Sequence, residues 1–213
     1  MTAQSPLLQR AIDAMSVPGI LVGHRLIAEG DESALLPDEA AAFAGSVTKV
    51  KRASGAARVV ARGLLGQVGH PPRAILRSAA GPPDWPNDIV GSLAHDATVA
   101  AAAIARRSEF LSVGIDVEPA EPLDPELMPI VATPVELAAL NEDHLRGRLL
   151  FAVKEAVYKA AFPLDRAFLD HHDVQVDLSS GVAVIRNGRM VRFGHCAAPH
   201  IVVLAYVPAQ AAG

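Results

Sequence analysis

The chain has 213 residues, 51% of them hydrophobic and 20% charged. That excludes a disordered chain, which buries too little apolar surface, and a membrane bundle, which tolerates too little charge. The formal net charge of −4 gives no overall basic footprint for nucleic acid, and a lone Cys196 excludes an internal disulfide framework or a CxxC site.

In chain order, residues 1–15 hold no charged stretch followed by an apolar one, so no signal peptide is read there. Val47 to Val68 reads as a long helix with Val59, Val60, Leu64, Leu65 and Val68 on an apolar side. Lys51, Arg58 and Arg62 share another face, as a solvated surface or as an anion-binding one. Pro71-Pro72 and Gly81 to Pro86 read as loops, and Gly91-Ser92 as a turn leading to His95. The alanine-rich run after Ala97 is too short to cross a bilayer and ends in Arg106-Arg107. No segment reads as membrane-spanning, so the cytoplasm is the default compartment. We expect a hairpin here, with strands over 98–106 and 111–118.

Pro119 to Pro134 reads as a loop presenting Leu127, Met128 and Ile130 as a docking patch or packing them into the core. Thr133-Pro134-Val135-Glu136 is a capping box that starts a helix. A second helix should run from His144 to Phe162 and stop at Pro163, with Leu149, Val153, Ala156 and Ala160 buried. Val174–Val176 and Val182–Ile185 alternate as strands around Ser179-Ser180-Gly181, and Ile201–Val207 is a last buried strand.

Three stretches carry chemistry. Asp116 and Glu118, two apart at the end of a strand, point to one side. Side by side they repel unless a cation lies between them, and hard oxygen ligands in low number suit Mg²⁺. The bland alternative is a solvated strand end. Glu155 adds a third carboxylate from a helix, or forms an ordinary surface pair with Lys159 one turn on. Lys154 and Lys159 could neutralise phosphate charge, and His95 could donate to a phosphate oxygen. His171-His172, His195 and His200 have no motif around them and read as structural or surface residues. Walker, GxGxxG, GxSxG and HExxH motifs are absent. An enzyme here would rely on carboxylate-bound metal and basic side chains, with no nucleophile of its own.

Taken together, W-P-x4-G-S-x2-H (Trp85 to His95), G-I-D-x-E (Gly114 to Glu118) and K-E-A-x-Y-K-A (Lys154 to Ala160) resemble the 4′-phosphopantetheinyl transferases of the surfactin- and enterobactin-synthetase type. The resemblance covers roughly residues 45–207 and is closest to the siderophore- and polyketide-associated branch. It implies transfer of the phosphopantetheine arm of coenzyme A to a serine of an acyl- or peptidyl-carrier protein, releasing adenosine 3′,5′-bisphosphate. The carrier would then bring the missing nucleophile. It implies Asp116, Glu118 and Glu155 as Mg²⁺ ligands, Glu155 as the base, and Lys159 at the leaving phosphate. Ser92, His95, Arg58, Arg77 and Lys154 would contact CoA phosphates, joined by Lys51 or Arg52.

The implied fold is α/β. Two similar halves, 1–108 and 109–213, would be related by a pseudo-two-fold axis, with the CoA site between them in a monomer. The chain departs from the family at Ala79-Ala80-Gly81, where a basic residue is common, at Val50-Lys51-Arg52, where paired arginines are common, and at Asp96, where a small neutral residue is common. Competing readings are a CoA- or carrier-binding module without transfer activity and a Mg²⁺-dependent nucleotide-diphosphate hydrolase.

Overall fold

The computed structural model describes residues 4–78 and 81–209. Ala79 and Ala80, one of the departures noted above, lie outside them. In chain order the elements are α1 (Pro6–Ala14), β1 (Ile20–Leu26), α2 (Pro37–Ala42), α3 (Thr48–Gln67), β2 (Ile89–His95), β3 (Val99–Arg106), β4 (Phe110–Pro119), α4 (Met128–Val131), α5 (Pro134–Leu140), α6 (His144–Asp165), β5 (Val174–Asp177), β6 (Val182–Ile185), β7 (Met190–Cys196) and β8 (His200–Pro208).

Two antiparallel sheets form, ordered β1-β3-β2 and β4-β8-β7-β6-β5. Their connectivity repeats. In each, a strand is followed by a long helix and the last strand inserts beside the first: β1, α3, β2, β3 in the first and β4, α6, β7, β8 in the second. The mixed helix and sheet agree with the expected α/β class.

The apolar run of β3 becomes intelligible from its position. Ala100, Ala102 and Ile104 pack against α3 through Ala56, Ala57, Ala61 and Leu65. Val99, Ala101, Ala103 and Ala105 face the second sheet, meeting Val113, Ile115 and Val117 of β4 and Val202 and Leu204 of β8. The opposite side of β8, through Ile201, Val203 and Ala205, packs on Val153, Ala156, Val157 and Ala160 of α6. The order is therefore helix, sheet, sheet, helix, and a strand covered on both faces is apolar throughout. Alanine on both α3 and β3 lets their backbones approach closely.

Four expectations need correction. The strands of the expected hairpin exist, but β3 and β4 do not pair. Both edges of β3 are taken by β1 and β2, so β4 starts the second sheet. Gly91-Ser92 is not a turn. Both residues lie inside β2, opposite Ile104 and Ala103. A Cβ on Gly91 would sit 2.6 Å from the Trp85 ring, so this glycine marks a close approach.

Helix α6 runs through Pro163 and ends at Asp165, with Arg166 in the left-handed conformation. A proline in the last turn forfeits only one intrahelical hydrogen bond, so the helix survives it. Finally, the segment after Pro119 is not all loop. Met128 and Val131 of the short α4 are buried with Leu123, Leu140 and Leu150. Met128 is core, while Leu127 and Ile130 remain exposed.

Candidate active site

The site begins with a missing side chain. On β4, Ser112, Gly114, Asp116 and Glu118 alternate with Val113, Ile115 and Val117, which face the sheet–sheet core. A Cβ on Gly114 would lie 2.0 Å from the Ala156 carbonyl oxygen and 2.7 Å from the Ala160 nitrogen. Helix α6 thus rests directly on the β4 backbone. One turn beyond Ala156, Lys159 reaches across, and its Nζ donates to Asp116 Oδ1 at 2.6 Å and to the Ile115 carbonyl at 3.2 Å.

Asp116 is 6% exposed, and its Oδ2 is buried with no hydrogen-bond partner. Burial raises the Asp116 pKa, the charge of Glu155 adds to the rise, and Lys159 opposes it. Glu118 is half-buried, and its Oε2 accepts from Arg148 at 3.0 Å. Its pKa is also raised, by burial first and then by Asp116, against the pull of Arg148. Glu155 differs. The neighbouring His171, whose Nε2 stands 3.3 Å from Glu155 Oε1, holds its pKa below the ordinary carboxylate value, helped by Lys159 against burial.

Three carboxylates that feel one another, one with an orphaned buried oxygen, form a donor set short of positive charge. They are not gathered into a finished cage. Among the described residues, no three histidine, cysteine or acidic side chains stand close enough to hold a metal ion.

The other wall comes from the first sheet. Edge strands β2 and β4 lie against each other. Ser92 is buried and His95 is exposed at the end of β2. Lost hydration lowers the His95 pKa, and the charge of Lys159 lowers it further. Arg77 and Ser92 share a cleft of about 310 Å³ with Tyr158, Lys159 and Phe162. The structure therefore brings Arg77, Ser92 and Lys159 together, with His95, Asp116, Glu118 and Glu155 near them.

The other basic residues expected to contact phosphate have partners within the protein. Lys154 is 1% exposed, and its ammonium donates to the Val131 carbonyl, Glu136 Oε2 and the His171 carbonyl at 2.8, 2.7 and 2.9 Å. All three donors are spent inside the protein. Arg58 is also buried and donates to the carbonyls of Ile75 and Ser54, 3.7 Å from Glu39. Lys51 donates to the Ala44 carbonyl, and Arg52 pairs with Glu32 at 2.9 Å. The basic face of α3 is largely tied down: Arg62 and Arg58 flank the buried Glu39, which also accepts from the Ile75 nitrogen.

Sequence reasoning missed Arg148 and His171. Arg148 lies one turn beyond the N-terminus of α6, and only the fold brings it to Glu118. Its position two turns before Glu155 on the same helix was the available signal. His171 sits in a short helical turn and carries no signal of its own.

A family profile described as 4′-phosphopantetheinyl transferase N-terminal domain matches residues 38–105. A second, described as 4′-phosphopantetheinyl transferase superfamily, matches residues 112–202. The chain is 39% identical over 162 residues to the 4′-phosphopantetheinyl transferase Svp of Streptomyces mobaraensis, covering 72% of this chain and 66% of that protein. It is 40% identical over 149 residues to PptT of Mycobacterium tuberculosis, covering 66% and 64%. Identity to Npt of Nocardia iowensis is 39% over 158 residues, covering 71% of each. The matched stretch thus spans about two thirds of the length of these curated relatives. The chain belongs to the 4′-phosphopantetheinyl transferase superfamily, and its relatives place it with the actinobacterial members.

Proposed function

We propose that this protein transfers the 4′-phosphopantetheine arm of coenzyme A to a serine of an apo acyl- or peptidyl-carrier protein. One observation carries the reading: Lys159 contacts Asp116 at the cleft where the two sheets adjoin, with Glu118 and Glu155 near enough for their charges to act on Asp116 or be acted on by it. The units 1–108 and 109–213 act as one enzyme, with CoA between them.

Asp116 and Glu118, with Glu155, would hold Mg²⁺. The orphaned Asp116 Oδ2 and the raised pKa values of two of these acids fit that donor set. A hard ion that keeps its waters needs only one or two carboxylates plus phosphate oxygens. When bound, it would neutralise diphosphate charge as the phosphorus–oxygen bond breaks.

The chain's own groups do the rest. Lys159 stabilises the leaving phosphate, while His95, Ser92 and Arg77 bind phosphate or nucleotide along the cleft. Glu155, kept ionised by its neighbours, accepts the proton of the carrier serine. The serine oxygen bonds to the phosphorus bearing the pantetheine. The bond from that phosphorus to the bridging oxygen breaks, and adenosine 3′,5′-bisphosphate departs with the electron pair. Lys154 serves this site structurally, since all three of its donors are occupied, and Arg58 braces α3 against the Ile75 carbonyl from a buried position.

The apolar partner surface would be Leu127 and Ile130, exposed a few residues beyond Glu118. No helix among the described residues is long and apolar enough to cross a membrane. Intact mass of an apo carrier after incubation with this protein, CoA and Mg²⁺ tests the reading. A gain of one phosphopantetheine is expected, and an unchanged mass overturns it.

A further inference from the structure

Asp96, the unusual acid beside His95, has a complete set of partners. Its Oδ1 accepts from the Thr98 nitrogen at 2.6 Å, the Val99 nitrogen at 2.7 Å and the Thr98 hydroxyl at 3.1 Å. Its Oδ2 lies 3.3 Å from His200 Nε2, and its carboxylate is only 8% exposed. His200 Nε2 is also 3.1 Å from Thr98 Oγ1. The arrangement is a relay: His200 Nε2–H donates to Thr98 Oγ1, whose own hydrogen is donated to Asp96 Oδ1.

This relay crosses the molecule. Asp96 and Thr98 form the turn between β2 and β3, whereas His200 opens β8 in the second sheet, opposite Pro119 of β4. Among the described residues, no other side-chain hydrogen bond or ion pair joins the first 108 residues to the rest. Elsewhere the two sheets meet through apolar contacts. Apolar packing is non-directional, so it leaves the relative position of the two walls at the cleft mouth loosely specified. A directional contact fixes it. The contact also sits where it matters, next to His95 on one wall and opposite the residue that follows Glu118 on the other.

We infer that His200 is a positioning residue: through Thr98 and Asp96 it latches the β2–β3 turn to β8, fixing His95 against the acidic wall of the cleft. The latch also explains how an acid is tolerated beside a phosphate-binding histidine. Asp96 adds negative charge close to Glu118, and its oxygens are turned toward the turn backbone and His200 instead of the cleft. The effect on CoA rests on the proposed function. The latch itself does not.

The test compares wild type with His200→Ala, His200→Gln and Thr98→Val. Amide exchange over residues 95–99 and calorimetric binding of CoA are measured on each, alongside melting temperature. His200→Ala should speed exchange in that turn and weaken CoA binding by about fivefold, the size of one net hydrogen bond, with turnover at saturating CoA within about twofold of wild type. His200→Gln, which keeps an N–H donor, should recover most of both. Thr98→Val, which removes the middle of the relay and leaves the 3.3 Å approach of His200 to Asp96, should shift both in the same direction by a smaller amount and replaces the alanine variant if His200→Ala fails to fold.

Unchanged exchange in His200→Ala and Thr98→Val overturns the latch. Faster exchange with unchanged CoA affinity overturns the positioning role. Equal losses in the alanine and glutamine variants, tracking melting temperature, reduce His200 to a packing residue and also overturn it. If wild type binds no CoA, the proposed function fails, and the exchange measurement still decides the latch.

Discussion

Lys159 Nζ sits 2.6 Å from Asp116 Oδ1, while the other oxygen of the same carboxylate is buried with no partner at all. Half of this carboxylate is compensated from α6 and half is held in reserve. Few buried groups remain unsatisfied without a functional reason, because each costs free energy. Lys159 thus holds the acidic strand against α6, while the free oxygen is an acceptor that a cation or a hydrogen-bond donor could match, and a phosphate could not.

Neutralising that acid should exchange activity for stability. The folded-state pKa of Asp116 is raised, so the folded protein holds a proton there more tightly than the unfolded chain. The ionised form therefore costs stability at any pH above the folded pKa, and the cost vanishes below the ordinary value near 3.8. Asp116→Asn should abolish transfer and raise the melting temperature of the metal-free protein at neutral pH by a few degrees. The gap to wild type should close as pH falls. A lower melting temperature at pH 7 contradicts the assignment.

Lys159→Ala should lower turnover more than CoA affinity. In the proposed role its charge is needed most as the leaving phosphate develops negative charge, so a loss of roughly 100-fold or more in turnover is expected. Steady-state kinetics with varied CoA separates this from a binding role, which would raise KM alone.

Gly114→Ala is the smallest change that should dismantle the site. The added methyl meets backbone atoms of Ala156 and Ala160, which cannot rotate away. Helix α6 must lift from β4, costing on the order of 1–3 kcal/mol or more. It should also separate Lys159 from Asp116. Denaturant melts and transfer assays should both report the change.

Lys154→Ala should act on stability. It leaves Glu136 buried beside α6 without its ammonium partner, a loss of about 3–5 kcal/mol. Urea denaturation should show the deficit whether or not CoA is present. A stable Lys154→Ala protein with selectively weakened CoA binding would instead restore Lys154 to the phosphate site.

Carrier docking should fall on Ile130 and not on Met128. Ile130 is 57% exposed and Met128 is 7% exposed beneath α6. Ile130→Glu should raise the KM for carrier by about tenfold, in the range of an interface anchor, and leave CoA affinity alone. Met128→Glu should unfold the protein, since it places a charge against Gly147 in a packed cluster.

Local chemistry was legible wherever a residue's partners lie close in sequence. The Thr133–Glu136 capping box, the extent of α3 and the β5–β6 turn all depend on neighbours within a few positions. The shared side of Asp116 and Glu118 follows from strand period alone. Side-chain partnerships across the fold were not legible in the same way. Arg58 and Lys154 bear the charge that phosphate binding needs, and nothing in their spacing reveals that Glu39 and Glu136, 19 and 18 residues away, lie beside them.

By itself, then, the sequence determined the family, the α/β class and the shared side of Asp116 and Glu118. Those follow from residue types at short, fixed spacings, where backbone geometry leaves little choice. The tertiary structure alone decided that β3 and β4 part into two sheets, that Gly114 seats α6, that Lys154 is locked inside, and that His200 meets Asp96. Each depends on which distant surfaces bury against one another. That is settled by packing the whole chain, since an apolar face or a charged side chain does not specify its partner until the competing positions are filled.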